Sequence, residues 1–272
     1  MRRTPAKVNL YLTVGDLRPS DGRHNIQTIF YPYWRVTDQL AVLPNPVGKG
    51  MTLELSGRII PGGGNPQENL ACRAVEAYCR KFDIPADFHI TLQKAIPVGG
   101  GMGGGSSDAG AALLEVNDLM RLATPQELHD IAAELGADVP LFLNPVPSLA
   151  TGIGDILTPM DDFPELQLLA IYPGFASPVA WAYKNWKRPA DAAPMPFPPA
   201  VNTNWADYLW NDLGFAVEEK YPPIHDAIVA LKNHGARNAI VSGSGSSVFG
   251  IFDSAEERDQ AKTALSRDWE TI

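Results

Sequence analysis

The stretch PVGGGMGGGSS, residues 97–107, has six glycines in eleven residues, and an acid, Asp108, follows its two serines. Glycine loses more conformational freedom on folding than any other residue, so a run of this kind needs a physical reason. Two explanations fit the composition of the stretch. Either it is a flexible linker, or a large anionic group lies very close to its main chain.

The flanking residues argue against a linker. Before the glycines, FHITLQKAIP (88–97) alternates apolar and polar residues as on a half-buried strand. After them, SSDAGAALLEVNDLM (106–120) places apolar residues at helical spacing. The stretch therefore connects a strand to the start of a helix, where main-chain N–H groups and the helix dipole favour an anion. Ser106 and Ser107 can cap this helix, and they can also donate to a phosphate or ligate a metal.

The glycine stretch matches neither of the two commonest phosphate-binding motifs. It lacks the G-K-[ST] ending of the P-loop. It also lacks the acidic residue about 20 positions downstream that a dinucleotide fold requires. A phosphate-binding loop of another kind remains, and the alternative is an ordinary glycine-rich turn before a capped helix.

A single acid, Asp138, follows the next predicted helix. That helix begins with TPQE (124–127), a capping box with proline in the first turn, and Gly136 can close it. Asp138 then stands in GADVPLFL (136–143), between the helix end and an apolar run. It is either a solvated turn residue or a functional acid.

Two polar residues interrupt an apolar strand pattern near the N-terminus. In TPAKVNLYLTV (4–14), Lys7 and Asn9 share one strand face, and Val8, Leu10, Leu12 and Val14 share the other. Lys7 is either a charge on a strand edge or, together with Asn9, part of a surface that faces an anionic ligand.

The later part of the chain supplies a second glycine–serine stretch, ARNAIVSGSGSSVFGIF (236–252), which predicts a hairpin with a tight turn at 243–245. Residues 184–205 contain five prolines and predict an irregular surface segment, either a lid or an insertion. Strands and helices are mixed in both halves. We therefore expect two α+β domains with a boundary near residue 152.

Composition excludes several classes of protein. The chain has 272 residues, 45% hydrophobic content and a net charge of −9, so nonspecific nucleic-acid binding through a basic surface is not expected. Cys72 and Cys79, if they share a helix, lie about 10 Å apart, too far for a disulfide. The histidines and cysteines show no metal-binding spacing, and we find neither a signal peptide nor a membrane span. These features predict a cytoplasmic protein with reduced thiols.

Four segments together resemble, in order and spacing, the motifs of the GHMP small-molecule kinases. They are PAKVNLYL (5–12), PVGGGMGGGSSDAG (97–110), GADVP (136–140) and SGSGSSVFG (242–250). Three further stretches resemble the branch that acts on a methylerythritol ester of cytidine diphosphate. They are DGRHNIQTIFYP (21–32), NLACRA (69–74) and WNDLGFAVEEKYPPI (210–224).

The resemblance implies a fold and a reaction. The fold is the two-domain α+β GHMP kinase fold, with an S5-like ATP-binding domain (1–152) and a ferredoxin-like substrate domain (153–272), and the site lies in the cleft. The reaction transfers the γ-phosphoryl of ATP, with Mg²⁺, to the C2 hydroxyl of the small-molecule cytidine diphosphate substrate, in non-mevalonate isoprenoid synthesis. A monomer or homodimer without nucleic-acid or membrane partners is expected.

The resemblance also implies roles for individual residues. Lys7 and Asp138 form the catalytic pair, Asn9 contacts the methylerythritol part, and His24 reads the cytosine edge. Asn69 and Lys94 lie near the adenine, and Mg²⁺ can be held through Ser106 or Ser107. The loop that binds the ATP phosphates comprises Pro97, Val98, Gly99, Gly100, Gly101, Met102, Gly103, Gly104, Gly105, Ser106 and Ser107.

The chain departs from its relatives at Arg23, which replaces a tyrosine that stacks on cytosine. A guanidinium is also planar and stacks on π faces, so we expect cytosine to lie between Arg23 and Tyr183. Arg23 leaves open another GHMP kinase, acting on homoserine or mevalonate. A non-catalytic nucleotide-binding relative is a third possibility, although it would need neither Lys7 nor Asp138.

Overall fold

The structure of the protein is a computed structural model that describes residues 1–58, 65–200 and 203–272. Strands and helices are mixed along the chain, as the sequence predicts for an α+β protein. The strands are β1 (Arg2–Leu17), β2 (His24–Pro44), β3 (Thr52–Gly57), β4 (Phe88–Lys94), β5 (Ser148–Thr151), β6 (Ile156–Pro159), β7 (Gln167–Tyr172), β8 (Trp210–Asn211), β9 (Asn238–Val241), β10 (Val248–Phe252) and β11 (Glu270–Thr271). The α-helices are α1 (Leu70–Lys81), α2 (Gly104–Met120), α3 (Pro125–Leu135), α4 (Val179–Asn185), α5 (Trp205–Tyr208), α6 (Asp212–Lys220), α7 (Pro222–Asn233) and α8 (Ala255–Leu265).

The first of two compact units comprises Met1–Lys7, Pro32–Val98 and Gly103–Val146. In it, β4 pairs antiparallel with β2 and parallel with β3. One core cluster joins these strands to α1, α2 and α3. The predicted alternation is confirmed, because Phe88, Ile90 and Leu92 of β4 are all buried in this core.

The second unit comprises Val8–Tyr31, Gly99–Met102 and Pro147–Ile272. It contains a four-stranded sheet in the order β11-β7-β10-β9, in which all neighbours are antiparallel. The β9–β10 pairing confirms the hairpin predicted for 236–252. Strand β5 pairs with β2 and β6, and β8 pairs with β1. The expected domain boundary near residue 152 stays a prediction.

Helix starts follow the sequence at α3 but not at α2. Thr124 and Glu127 form the predicted capping box, with the Thr124 side chain accepting from the Glu127 N–H. At α2, the interpretation of Ser106 or Ser107 as the helix cap is wrong. The cap is Gly103, whose φ of 71° lies in the left-handed region, so three glycines precede the serines at the helix start. A glycine reaches this conformation without the steric cost that a Cβ would add.

The irregular segment predicted for 184–205 is confirmed for residues 186–200, 203 and 204, which contain no helix or strand. The prediction is wrong at its ends, because Lys184 and Asn185 end α4 and Trp205 begins α5. Residues 201 and 202 lie outside the described residues. The segment is held by aromatic side chains. The Tyr11 hydroxyl donates to the Met195 carbonyl at 3.0 Å, the Tyr208 hydroxyl donates to the Pro196 carbonyl, and Phe197 stacks on Tyr11 at 5.4 Å.

Among the described residues, no helix is both long and apolar enough to cross a membrane.

Both cysteines lie on α1, are buried, and form no disulfide. Burial raises the pKa of Cys72 to about 12 and that of Cys79 to about 11, and the thiolate is the reactive form. We therefore expect neither thiol to react with a maleimide at pH 7.5 in the native protein and both to react in guanidinium chloride. Mass spectrometry of labelled protein checks this, and rapid native labelling would contradict the burial.

Candidate active site

Lys7 and Asp138 are brought together in the first unit. Lys7 Nζ lies 3.5 Å from Asp138 Oδ2, and the side chains are 6% and 33% exposed. Lys7 is therefore a buried residue of β1 and not an edge charge. Its partner stands in the turn that follows α3, directly before the buried Val139. A carboxylate next to a buried ammonium, with one side open to solvent, can accept a proton from a hydroxyl group while the cation stabilises the developing negative charge.

The same lysine lies against the start of α2. A Cβ placed on Gly103 would come within 3.0 Å of Lys7 Cγ and 3.1 Å of the Phe142 ring. Phe142 belongs to the short 3-10 turn Pro140–Leu143, which follows Asp138. The glycine at this cap thus allows the helix N-terminus, the lysine and the segment that carries Asp138 to pack closely.

Within the second unit, the carbonyl groups of Gly99, Gly100 and Gly101 accept hydrogen bonds from three serines. The Ser177 N–H donates to the Gly99 carbonyl at 3.1 Å, and the Ser247 N–H donates to the Gly100 carbonyl at 3.0 Å. The Ser242 hydroxyl donates to the Gly101 carbonyl at 3.1 Å. By contrast, no N–H of residues 99–106 donates a hydrogen bond to another residue that the structure describes. Anchored carbonyls and available N–H groups are the polarity that an anion site requires.

Close packing against other residues of the protein explains most of these glycines. An added Cβ would lie 2.5 Å from the Ala176 Cβ at Gly99, 2.2 Å from the Ser242 carbonyl at Gly101, and 2.9 Å from Ile96 at Gly104. Gly99 and Gly101 also have positive φ angles of 68° and 75°. At Gly105, by contrast, a Cβ meets nothing within 4 Å. Protein packing therefore requires glycine at positions 99, 101 and 104, whereas Gly105 faces open space.

The two serines at the helix start differ in their surroundings. The Ser107 hydroxyl is buried, donates to the Pro5 carbonyl at 2.6 Å, and lies 2.6 Å from the Thr4 hydroxyl. It joins α2 to β1, and these contacts leave it poorly suited to hold a metal ion. Ser106 is partly exposed in the first turn of α2. Within the described ranges, no group of three or more His, Cys, Asp or Glu side chains is arranged to bind a metal.

The structure places the two residues predicted near adenine in contacts with the protein. The Asn69 side chain accepts from the Ala71 N–H at 3.0 Å and caps α1. The Lys94 ammonium is buried, 2.6 Å from Asp108 Oδ2 and in contact with Asp38 Oδ2. Their predicted proximity to adenine stays a prediction.

Residues predicted at the substrate lie in the second unit. The rings of His24 and Tyr183 face each other with centroids 6.4 Å apart and planes 18° apart, and Trp186 meets His24 edge-on at 6.0 Å. His24 Nδ1 lies 2.8 Å from the Gly15 carbonyl, which fixes the ring orientation. Arg23 is exposed beside it. The Asn9 amide, which is buried, donates to the Thr28 hydroxyl at 2.8 Å.

Sequence reasoning missed Asp38, Asp108 and Trp186 as parts of these arrangements. Asp38 carried a signal, because it is spaced by two and four residues from Leu40 and Val42 and so shares their apolar strand face. Asp38, Leu40 and Val42 are all buried in the structure. Asp108 and Trp186 carried no comparable signal, since each depends on contacts with residues distant in the sequence.

Comparison with known proteins matches both parts of the chain to one family. The family model "GHMP kinases N terminal domain" matches residues 69–144, and "GHMP kinases C terminal" matches 196–271. A Citrifermentans bemidjiense protein named 4-diphosphocytidyl-2-C-methyl-D-erythritol kinase is 37% identical over 270 residues, which cover 97% of this chain and 94% of that protein.

Solved structures agree with this match. A crystal structure of 4-(cytidine 5'-diphospho)-2C-methyl-D-erythritol kinase superposes with a TM-score of 0.84 at 33% identity, covering 100% of this chain and 97% of that one. Homoserine kinase from Cytophaga hutchinsonii shares the fold, with a TM-score of 0.64 at 18% identity and coverage of 99% and 91%. The chain therefore belongs to the GHMP kinases and, within them, to the family of the 4-diphosphocytidyl-2-C-methyl-D-erythritol kinases.

Proposed function

We propose that the protein transfers the γ-phosphoryl group of ATP to the C2 hydroxyl of 4-diphosphocytidyl-2-C-methyl-D-erythritol, in non-mevalonate isoprenoid precursor synthesis. The observation that carries this proposal is the buried Lys7, paired with Asp138 at 3.5 Å and packed against the glycine at the start of α2. A protein that only binds a nucleotide needs no such pair. Family membership supports the choice of substrate.

The chemistry follows from the arrangement of these groups. Phosphoryl transfer asks the protein mainly for positioning and charge stabilisation. Asp138 accepts the C2 hydroxyl proton as the substrate oxygen forms its bond to the γ-phosphorus and the bond to the ADP oxygen breaks. Lys7 stabilises the negative charge that develops on the attacking oxygen. The N–H groups of 99–106 and the N-terminus of α2 hold the phosphates.

Mg²⁺ would accompany ATP in this reaction. Magnesium keeps several waters and is bound through few protein groups plus the substrate phosphates, so a dedicated cluster of carboxylates is not required. Of the two candidate serines, Ser106 fits this role, since the Ser107 hydroxyl is used inside the fold. The ion would neutralise charge on the phosphates.

Cytosine would bind against Tyr183. The His24 and Tyr183 rings are nearly parallel, with centroids 6.4 Å apart, so either ring can stack on a planar base. The exposed Arg23 lies next to His24 in the chain and can supply the second face instead. A mutation at Arg23 separates these two arrangements.

For Arg23→Ala we expect the KM for the cytidine substrate to rise roughly ten- to a hundredfold, because stacking contributes about 1–3 kcal/mol per base. The KM for ATP should not change, and Arg23→Tyr should restore most of the loss. Steady-state kinetics of both variants check this. Arg18→Ala, in the same turn, is the matched control. An unchanged KM in Arg23→Ala would exclude the guanidinium and leave His24 as the ring opposite Tyr183.

The proposed function is tested by coupled ADP release with three alcohols. We expect turnover with 4-diphosphocytidyl-2-C-methyl-D-erythritol and none with homoserine or mevalonate. Turnover only with one of the latter two would assign a different GHMP kinase. ADP binding without turnover of any alcohol would support a non-catalytic relative.

A further inference from the structure

A buried cluster of three charged side chains lies in the first unit, next to the two ends of the glycine loop (97–107). The side chains of Asp38, Lys94 and Asp108 are 0%, 2% and 4% exposed. Lys94 Nζ donates to Asp38 Oδ2 and to Asp108 Oδ2, the second at 2.6 Å. The reaction chemistry described above uses none of these groups.

The cluster is attached to the main chain on both sides of the loop. Asp38 Oδ1 accepts the N–H groups of Ala95 at 2.6 Å and Ile96 at 2.9 Å, the residues directly before the loop. Asp108 lies on α2, directly after the loop. The ammonium of Lys94 sits beside the first residue of that helix, since a Cβ on Gly104 would be 3.2 Å from Nζ. The loop thus begins and ends on one set of hydrogen bonds.

The charge of the cluster suits a neighbouring anion. One ammonium cannot neutralise two carboxylates, and Asp108 Oδ1 is buried with no hydrogen-bond partner among the described residues. Burial raises the pKa of the Asp108 carboxyl well above its usual range, and Lys94 offsets only part of this effect. A raised pKa favours the neutral form of this carboxyl and so reduces the negative charge beside the helix N-terminus.

We propose that Asp38, Lys94 and Asp108 form a positioning cluster that fixes the two ends of the glycine loop for binding of a polyphosphate, and that the Lys94 side chain acts through the loop without contacting adenine. The inference rests on the proposed function, because it takes the loop to be the phosphate site. It gives the Lys94 side chain a role other than contact with adenine, while the proximity of residue 94 to adenine stays a prediction. The Lys94 ammonium has two carboxylate partners and is only 2% exposed, so its contacts are made inside the protein.

The test compares the affinity for ADP, which contains adenine, with the affinity for inorganic tripolyphosphate, which does not. We expect Lys94→Met to raise the Kd of ADP and the Kd of inorganic tripolyphosphate by the same factor, about 10-fold to 100-fold, the range seen when residues that support metal ligands are removed. Isothermal titration calorimetry on folded protein measures both. Lys81→Met, at the exposed end of α1, is the control and should leave both values unchanged.

Other outcomes would overturn the inference. A rise for ADP alone would show an adenine contact, and unchanged affinities with a lower Tm would show a purely structural cluster. If Lys94→Met does not fold, Asp38→Asn carries the same test, since its amide cannot accept from both Lys94 and the two backbone N–H groups. If the wild-type protein binds neither ADP nor tripolyphosphate, the proposed function fails, and this inference fails with it. If wild type binds both, only the inference is at stake.

Discussion

Asp138→Asn is expected to fold as the wild type does and to lose about 10²- to 10⁴-fold in kcat, the usual contribution of a positioned general base. The amide has the same size as the carboxylate but cannot accept the hydroxyl proton. Asp138 is one-third exposed, and its ion pair with Lys7 at 3.5 Å is long, so little folding energy depends on it. Affinity for ATP should change little, because the glycine loop and the N-terminus of α2 hold the phosphates.

Single-turnover kinetics, ADP titration and thermal melting together check this expectation. Asp130→Asn, on the exposed side of α3, changes the same chemical group away from the site and should keep full activity. Retention of more than about half the activity in Asp138→Asn would exclude a role that should be worth at least ~10².

Valine substitutions at Gly101 and Gly105 are expected to fail in different ways. At Gly101 a Cβ would lie 2.2 Å from the Ser242 carbonyl on a backbone with φ of 75°, so Gly101→Val should destabilise the folded protein and lose nucleotide binding as a result. At Gly105 a Cβ meets nothing within 4 Å, so Gly105→Val should fold. It should nevertheless abolish detectable ADP binding, because the branched side chain occupies the space that phosphate oxygens need.

Thermal melting and ADP calorimetry on the two variants separate packing from ligand contact, and each variant serves as the control for the other. A Gly105→Val protein with wild-type Tm and no ADP affinity is the expected result. Wild-type ADP affinity in that variant would mean that the loop is a turn required only by packing. A wild-type Tm in Gly101→Val would contradict the contact with the Ser242 carbonyl.

The sequence by itself determined the local elements and the composition of the candidate site. Three local patterns predict β4, α2 and α3: the alternation in 88–94, the helical spacing in 106–120 and the capping box at Thr124. Such patterns can be recognised because they depend only on residues close in the sequence. The residue types at positions 7, 97–107 and 138 indicated phosphate chemistry. The resemblance of these segments to the GHMP kinases then predicted the family.

Only the tertiary structure decided what each of these residues contacts. Lys7 and Lys94 are both lysines within strands, yet one pairs with Asp138 beside the helix N-terminus and the other is enclosed by Asp38 and Asp108. The carboxylate partners of both lysines are distant in the sequence, so the neighbouring residues do not predict them. The same holds for the glycines, since Gly101 meets a carbonyl 141 residues away and Gly105 meets open space. The physical reason is that partners of this kind are brought together by the packing of distant segments, which local periodicity does not encode.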